Sequence, residues 1–361
     1  MIKELSPSAV YMGLLAAFVG YTASFAIVLA GLTSMGASEA QAATGLFYAT
    51  LGMGVCSIVL PAVTRVPAAV AWSTPGAAFM AASAALPAGF AEAVGALICC
   101  AVLILITGIV RPLGRLVAAI PKPVANALLA GVLFKLCLAP ALAMGSIPGL
   151  ILPVIGAWIV GLTWNKLAAM PLALLAFLVV FFVGVDMPDG VAMGQGGWRP
   201  DLGPLTPVFT LQGFVSVAIP LFLVTMAGQN IPGFAVLEMH GYEFRRQLAS
   251  LLIAPFGAIP MNMSAITAAM MSGEDAGRDP SRRYWAAIVS GLGYVVLAFL
   301  AGPVTALATL APSELITGMA GLALIPALVG SLRGAFSDPA QTEAPALTFL
   351  ITASGMVMWG I

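Results

Sequence analysis

Long apolar segments separated by short polar loops recur along the whole chain, and they limit what it can fold into. Only 8% of the residues are charged and 61% are hydrophobic, whereas a soluble domain carries roughly 25% charged residues. Such a chain cannot cover a core with a water-compatible surface. The sequence therefore predicts an all-α, polytopic protein surrounded by membrane lipid.

Thirteen apolar segments are predicted, seven before a polar, Gly- and Pro-rich stretch at 186–210 and six after it. Their approximate bounds are 8–33, 44–63, 68–86, 91–110, 123–143, 147–164, 168–185, 211–237, 246–257, 260–272, 284–303, 312–332 and 344–361. The first segment lacks a small-residue cleavage site, so we do not expect it to be a signal peptide. The four cysteines lie inside apolar segments, where they serve as packing residues, and no metal or disulfide framework is predicted.

Basic residues fall almost entirely on one side of these segments. If Lys3 is cytoplasmic, twelve of the 14 Lys and Arg residues share its side, and only Arg199 and Lys135 do not. This distribution follows the positive-inside rule and predicts a cytoplasmic N-terminus. We expect a multi-pass protein of a bacterial cytoplasmic (inner) membrane. The predicted outer loops carry acidic residues, namely Glu39, Glu92, Asp186, Asp189 and Asp201.

An odd number of segments before the long loop means that the second half begins on the opposite side, so any internal repeat is inverted. We predict a first repeat at 1–185, with a core at 8–110 and a gate at 123–185. A second repeat at 211–361 would hold a core at 211–303 and a gate at 312–361, after an extracytoplasmic loop at 186–210. A seven-plus-seven plan would leave the last helix missing from this sequence.

Short segments broken by Gly and Pro occupy matching positions in the two halves. The third segment contains AWSTPG (71–76), and its counterpart contains FGAIPMN (256–262). We expect half-helices to begin at Pro75-Gly76 and at Pro260, with unpaired N–H groups near the membrane midplane. Two helix N-termini at that depth favour an anion.

A further interruption is predicted in LVTMAGQNIPGFAVL (223–237), where two amides lie inside an apolar helix. Buried amides are costly unless they are partnered, and Pro232 predicts a break or bend in the helix. A broken helix at membrane depth is typical of a transport site. The alternative is a packing kink with two interhelical amide hydrogen bonds.

These segments supply the candidate site residues. The first segment adds GYTAS (20–24) at the position that matches Gly228 to Asn230. The predicted substrate-binding residues are Tyr21, Ser24, Trp72, Ser73, Thr74, Pro75, Gly76, Gln229, Asn230, Pro260, Met261, Asn262 and Ser264. Tyr21, Phe25 and Trp72, with Met261 and Met263, could form a flat apolar wall, although Tyr21 and Trp72 could equally face lipid. The set suits a small anion with an apolar body, such as an aromatic carboxylate.

Four strings carry a resemblance to a known family: AWSTPGAA (71–78), LVTMAGQNIPGFAVL (223–237), APFG…NMSAITAAM (254–270) and DPSRRYWAA (279–287). Over essentially the whole chain the sequence resembles the benzoate/proton symporter family, BenE, which is distantly similar to uracil and purine permeases and to sulfate-type anion transporters. The resemblance implies a core domain that moves against a gate domain, with the substrate between the interrupted segments. It also implies that Gln229 takes the place of a substrate-binding acid of the nucleobase permeases, with Asn262 on the facing half-helix.

The expected function is therefore a secondary active transporter that imports benzoate, or a similar small aromatic carboxylate, with protons. The apolar stretch before Asn262 departs from the family pattern and leaves the substrate open. Lys135 is the candidate for proton coupling, because an intramembrane lysine is functional by default, although it could snorkel to either face. No cofactor and no nucleic-acid partner are expected, and a homo-oligomer is left open.

The sequence favours an aromatic-carboxylate transporter over two other classes of function. A nucleobase or inorganic-anion transporter or channel would use the same fold, but a nucleobase site would favour an acid at position 229. An intramembrane enzyme would need a nucleophile or metal constellation. The single histidine, His240, lies in a polar loop, which argues against an enzyme.

Overall fold

The computed structural model describes residues 5–110, 119–185, 203–242, 258–338 and 342–354. The predicted segment 246–257 and most of the 186–210 loop lie outside these residues. The same is true of several charged residues used to predict the topology, namely Lys3, Arg111, Arg115, Asp186, Asp189, Arg199, Asp201, Arg245 and Arg246.

Helices make up almost all of the described chain. They are α1 Pro7–Thr22, α2 Phe25–Ser34, α3 Glu39–Thr64, α4 Thr74–Ala82, α5 Phe90–Ile109, α6 Lys122–Ser146, α7 Pro148–Trp164, α8 Ala169–Gly184, α9 Leu211–Met239, α10 Ala265–Ser272, α11 Tyr284–Ala298, α12 Ala301–Leu310, α13 Ser313–Ala335 and α14 Glu343–Ser354. Within the described ranges, seven helical spans are long and apolar enough to cross a membrane, or eight if α11 and α12 form one span. The polytopic architecture predicted from the apolar segments is confirmed.

The predicted interruptions are present, with one short addition to the all-α expectation. Two strands, β1 Val70–Trp72 and β2 Met261–Met263, form an antiparallel ladder in which Ala71 pairs with Asn262. Each strand leads into a half-helix, β1 into α4 and β2 into α10. In the first segment, the chain leaves the helix between α1 and α2 at residues 23–24.

One of the two half-helices begins where the sequence predicts, and the other begins later. Pro75 lies in the first turn of α4, as expected, and the Ser73 hydroxyl caps that helix. Pro260, however, does not begin a half-helix, because it precedes β2 and its carbonyl accepts a hydrogen bond from the Ser73 N–H at 2.8 Å. The second half-helix begins only after Ser264, whose hydroxyl caps the N–H of Thr267 at 3.3 Å.

The break predicted at Pro232 is wrong. Helix α9 continues from Leu211 to Met239, and Met226–Asn230 forms a wide π-helical turn just before the proline. Pro232 then lies in the first turn of the α-helical part that follows. The wider turn changes the hydrogen-bond partners at this point, so that a residue without an N–H is accommodated.

The predicted segment 284–303 also differs, since α11 and α12 meet at a bend of 56°. Pro303 explains the position of the bend. Its ring would clash with the carbonyl four residues earlier, at Phe299, where the helix ends.

The most extensive helix contacts lie within the predicted core and within the predicted gate, and the division into two domains stays a prediction. Helix α1 packs on α11, α11 on α3, and α2 on α4, whereas α6 packs on α13 and α14, and α7 on α8.

The α3–α11 contact depends on two facing glycines. A methyl group at Gly291 would lie 2.7 Å from the Gly54 carbonyl oxygen, and one at Gly54 would lie 2.9 Å from that of Gly291.

We therefore predict that Gly291→Ala lowers the thermal stability of the purified protein, because the added methyl group overpacks a backbone contact. The expected cost is about 1–3 kcal/mol, read as a lower midpoint in a thermal-melting assay in detergent. The matched control is Gly156→Ala in α7, where an added methyl group meets no atom within 4 Å. Equal midpoints for the two variants would contradict the packing described here.

Candidate functional site

The two-stranded ladder lies at the centre of the site, and its outer edges are closed by side chains. Backbone groups at a strand edge need partners when no water is available. On the β1 edge, the Ser57 hydroxyl accepts from the Val70 N–H at 3.2 Å and lies 3.4 Å from the Val70 carbonyl, to which it donates. On the β2 edge, the Asn230 side-chain carbonyl accepts from the Met263 N–H at 3.1 Å. Helices α3 and α9 thus fasten the ladder on both sides.

The ladder has two faces, and it separates the predicted site residues into two groups. Side chains alternate along a strand, and paired residues share a face. Asn262, which pairs with Ala71, reaches Gln229 of α9, with the Asn262 Nδ2 3.5 Å from the Gln229 Oε1. Trp72, the next residue after Ala71, instead donates from its indole Nε1 to the Ser24 hydroxyl at 2.8 Å. One group therefore faces α9 and the other faces α1 and α2.

The group facing α9 centres on Gln229. Its side-chain Oε1 accepts a hydrogen bond from the backbone N–H of Thr74 at 3.1 Å. That N–H is the first of the half-helix α4 and therefore points out of its N-terminus. Asn262 is only 3% exposed, yet its Oδ1 has no hydrogen-bond partner. A buried acceptor without a partner is rare and marks a place where a ligand or water can complete the bonding.

The group facing α1 is aromatic and packs on the face of the ladder opposite to Gln229. The Tyr21 ring stacks on Phe25 with centroids 5.6 Å apart and planes 11° apart, and it lies 5.6 Å from the Trp72 ring. Trp72 is 1% exposed and Tyr21 is 4% exposed. Neither ring faces lipid, so the interfacial alternative is wrong for both. Their position behind the ladder separates them from Gln229.

The turn that enters α4 is held against α9. The Ser73 hydroxyl accepts from the Gly76 N–H at 2.9 Å and hydrogen bonds with the Thr225 hydroxyl at 2.7 Å. A methyl group at Gly228, in the π turn, would lie 3.2 Å from Pro75 and 3.0 Å from Leu129 of α6. The N-terminal end of α4 therefore lies where the predicted gate helix α6 approaches the core.

The remaining candidates play backbone roles. Met261 lies in β2 opposite Trp72, and Ser264 caps α10. Asn230 uses its side-chain carbonyl to close the ladder edge, as described above. The partners Ser57, Thr225 and Leu129 were not predicted, because nothing in an apolar helix distinguishes them until the ladder is seen.

Lys135 lies apart from this site. Its side chain is exposed on the protein surface, and its Nζ donates to the Ser354 carbonyl at the end of α14, at 3.3 Å. Helix α6 thus meets the site through Leu129 and meets α14 through Lys135. The role of Lys135 in proton coupling stays a prediction.

Glu92 was expected in an outer loop, but it is 2% exposed in the first turn of α5. Its carboxylate accepts from the Ala88 N–H at 2.8 Å and from the Thr210 hydroxyl. Thr210 in turn accepts from the Gly213 N–H at 2.9 Å and caps the start of α9. Glu92 therefore fixes the beginning of the helix that carries Gln229.

Comparison of the sequence with known proteins shows which family the chain belongs to. The family described as Benzoate membrane transport protein, BenE, matches residues 3–361. The chain belongs to the BenE family. It is 33% identical to Inner membrane protein YdcO of Escherichia coli (strain K12), over 99% of this chain and 92% of that protein. It is 30% identical to the Benzoate membrane transport protein of Acinetobacter baylyi, over 99% of this chain and 94% of that protein.

The fold is also that of a solved structure. The transmembrane domain of the cyanobacterium bicarbonate transporter BicA matches with a TM-score of 0.63 at 15% identity, over 97% of this chain and 98% of that chain. At this identity the likeness establishes the fold alone, and it agrees with the inverted-repeat type predicted from the sequence. As a BenE family member, the protein is a multi-pass membrane transporter and not an enzyme, and the predicted inner-membrane location agrees with the name of the E. coli relative.

We predict that Asn230→Ala destabilises the protein, because the Met263 N–H would lose its acceptor inside the core. Leaving a buried donor unpaired costs about 1–3 kcal/mol, which a thermal-melting assay would detect as a lower midpoint. The control is Asn165→Ala, since Asn165 also accepts from a backbone N–H, that of Leu167 at 3.0 Å, but is exposed to solvent. A larger loss in the Asn165 variant would contradict the edge-closing role of Asn230.

Proposed function

We propose that this protein is a secondary active transporter that imports benzoate, or a similar small aromatic carboxylate, together with protons. Transport occurs by alternating access, as a core domain that carries the ladder and its half-helices moves against a gate domain that includes α6. Membership of the BenE family and the likeness to a protein named as a benzoate transporter support the substrate class.

One contact carries the substrate assignment: the Gln229 Oε1 on the Thr74 N–H at the N-terminus of α4. In this contact an amide carbonyl oxygen stands where a carboxylate oxygen of the substrate would bind. The partial positive charge of a helix N-terminus favours a full negative charge over an amide dipole. A carboxylate would therefore displace the Gln229 carbonyl, and the freed side chain would donate its own N–H groups to the substrate.

The apolar body of the substrate would lie against the gate. Pro75 and Gly228 form the core side of this contact, and Leu129 of α6 forms the gate side. An aromatic ring held there would be enclosed as the two domains close, and its burial contributes about 25 cal/mol for each Å² of apolar surface. Even a methyl group at Gly228 would crowd Leu129 and Pro75, so the ring would enter only when α6 moves away from the core.

Asn262 suggests how a proton accompanies the substrate. Its buried Oδ1 lacks a donor, and the hydroxyl of a protonated carboxyl group is such a donor. The substrate would bind as the carboxylate and take up its proton in the site; the new hydroxyl would then donate to Asn262 while the carbonyl oxygen still accepts from the Thr74 N–H. The coupled proton would then cross on the substrate itself, which the site geometry favours over a route through the distant Lys135.

The test is uptake of labelled benzoate into proteoliposomes with and without an inward proton gradient. We expect accumulation driven by the gradient, and we expect Gln229→Ala to abolish it because the substrate loses its amide donors. Gln212→Ala is the matched control, since Gln212 lies on the same helix at an exposed position. Both variants should melt at temperatures close to that of the wild type.

Two results would contradict this proposal. Normal uptake by Gln229→Ala would move the site elsewhere. Absence of benzoate uptake by the wild type, followed by transport of uracil, xanthine or sulfate, would leave the fold in place and favour a nucleobase or inorganic-anion transporter.

A further inference from the structure

A buried arginine, Arg283, lies at the C-terminal end of the second half-helix, α10. Arg283 is 8% exposed, and its guanidinium donates to the Ser272 carbonyl at 2.6 Å and to the Gly277 carbonyl at 2.8 Å. Ser272 is the last residue of α10, so the charge rests on the C-terminal end of that helix. The opposite end of α10 follows β2 and Asn262, on the side of the candidate site.

The charge of Arg283 is solvated by the two backbone carbonyls and by the Tyr242 hydroxyl. The carboxylate of Asp279 lies within electrostatic reach of the guanidinium, but it is exposed and forms its ion pair with the neighbouring Arg282, with a nitrogen-to-oxygen distance of 3.1 Å. Both of those side chains are more than half exposed, so solvent and salt screen them. Arg283 is screened far less because it is buried. Its positive charge therefore extends along the axis of α10.

We propose that Arg283 is a positioning residue that makes the site selective for anionic over neutral ligands. This inference rests on the proposed function, and it names the residue that gives the substrate site its preference for anions. By donating to the Ser272 carbonyl, Arg283 offsets part of the negative end of the α10 dipole, while the positive end lies on the side of the site. Eight residues span about 12 Å, so the guanidinium acts on a bound carboxylate from roughly 15 Å. At an effective dielectric constant of about 20, one charge at that distance changes anion affinity about sixfold.

The experiment compares two ligands of nearly the same shape, benzoate and the uncharged benzamide, by measuring their dissociation constants on the purified full-length protein. We expect Arg283→Gln to weaken benzoate binding about sixfold and to leave benzamide binding unchanged. Arg283→Lys, which keeps the charge, should restore most of the benzoate affinity. Arg282→Gln is the matched control and should change neither constant by more than about twofold, because Arg282 is exposed.

A second variant keeps Arg283 in place, in case its removal prevents folding. The hydroxyl of Tyr242 donates to the Pro280 carbonyl at 2.7 Å, and the ring lies within electrostatic reach of Arg283. Tyr242→Glu would set a carboxylate beside the guanidinium and neutralise it, so benzoate should weaken relative to benzamide. Tyr242→Gln, without a charge, should leave that ratio at the wild-type value.

The outcomes separate the two proposals. Wild-type protein that does not bind benzoate contradicts the proposed function. If the wild type binds benzoate, and both Arg283→Gln and Tyr242→Glu keep the wild-type ratio of the benzoate and benzamide dissociation constants, the proposed role of Arg283 is overturned. The proposed function is then unaffected. An equal loss for both ligands would also overturn it, because that result indicates a structural effect without charge selectivity.

Discussion

The need to pair every backbone group in a water-poor interior organises this structure. Half-helices at membrane depth require an extended stretch before them, and extended backbone exposes N–H and C=O groups. Here β1 and β2 pair with each other, and Ser57 and Asn230 close the outer edges of the ladder. The close fit between α9 and β2 depends on Gly233, where an added methyl group would collide with the Met263 carbonyl. The rigid ladder then fixes the direction in which the N-terminus of α4 points.

Much of this architecture could be predicted from composition and from the positions of Gly and Pro. The lengths of the apolar segments predicted the membrane spans, and paired Gly/Pro interruptions located the two half-helices. The start of α10 was missed because a proline before a strand and a proline at the first helical turn look alike in sequence, since both lack a donor. The π turn at Met226–Asn230 was missed for a related reason. Helix α9 is apolar on nearly all sides, so an extra residue in one turn leaves no visible change in the sequence pattern. It changes only the hydrogen-bond partners.

The candidate site could be predicted in part. Gln229, Asn262 and Thr74 were named from their types and positions, and the structure brings them together. Tyr21 and Trp72 were predicted to line the same site as Gln229, but strand alternation turns Trp72 to the other face of the ladder, where Tyr21 of α1 packs on it. That separation depends on the register between residues almost two hundred positions apart. Single-sequence patterns do not carry it.

The account makes one central claim, that the substrate carboxylate replaces the Gln229 carbonyl on the Thr74 N–H. Solid-state NMR tests it directly, through dipolar recoupling between the carboxyl ¹³C of bound benzoate and a ¹⁵N label on the backbone of Thr74. A carboxylate oxygen in a normal hydrogen bond lies about 2.9 Å from the nitrogen, so the account predicts strong recoupling when benzoate is bound. Bound benzoate that shows no recoupling to Thr74 would contradict it.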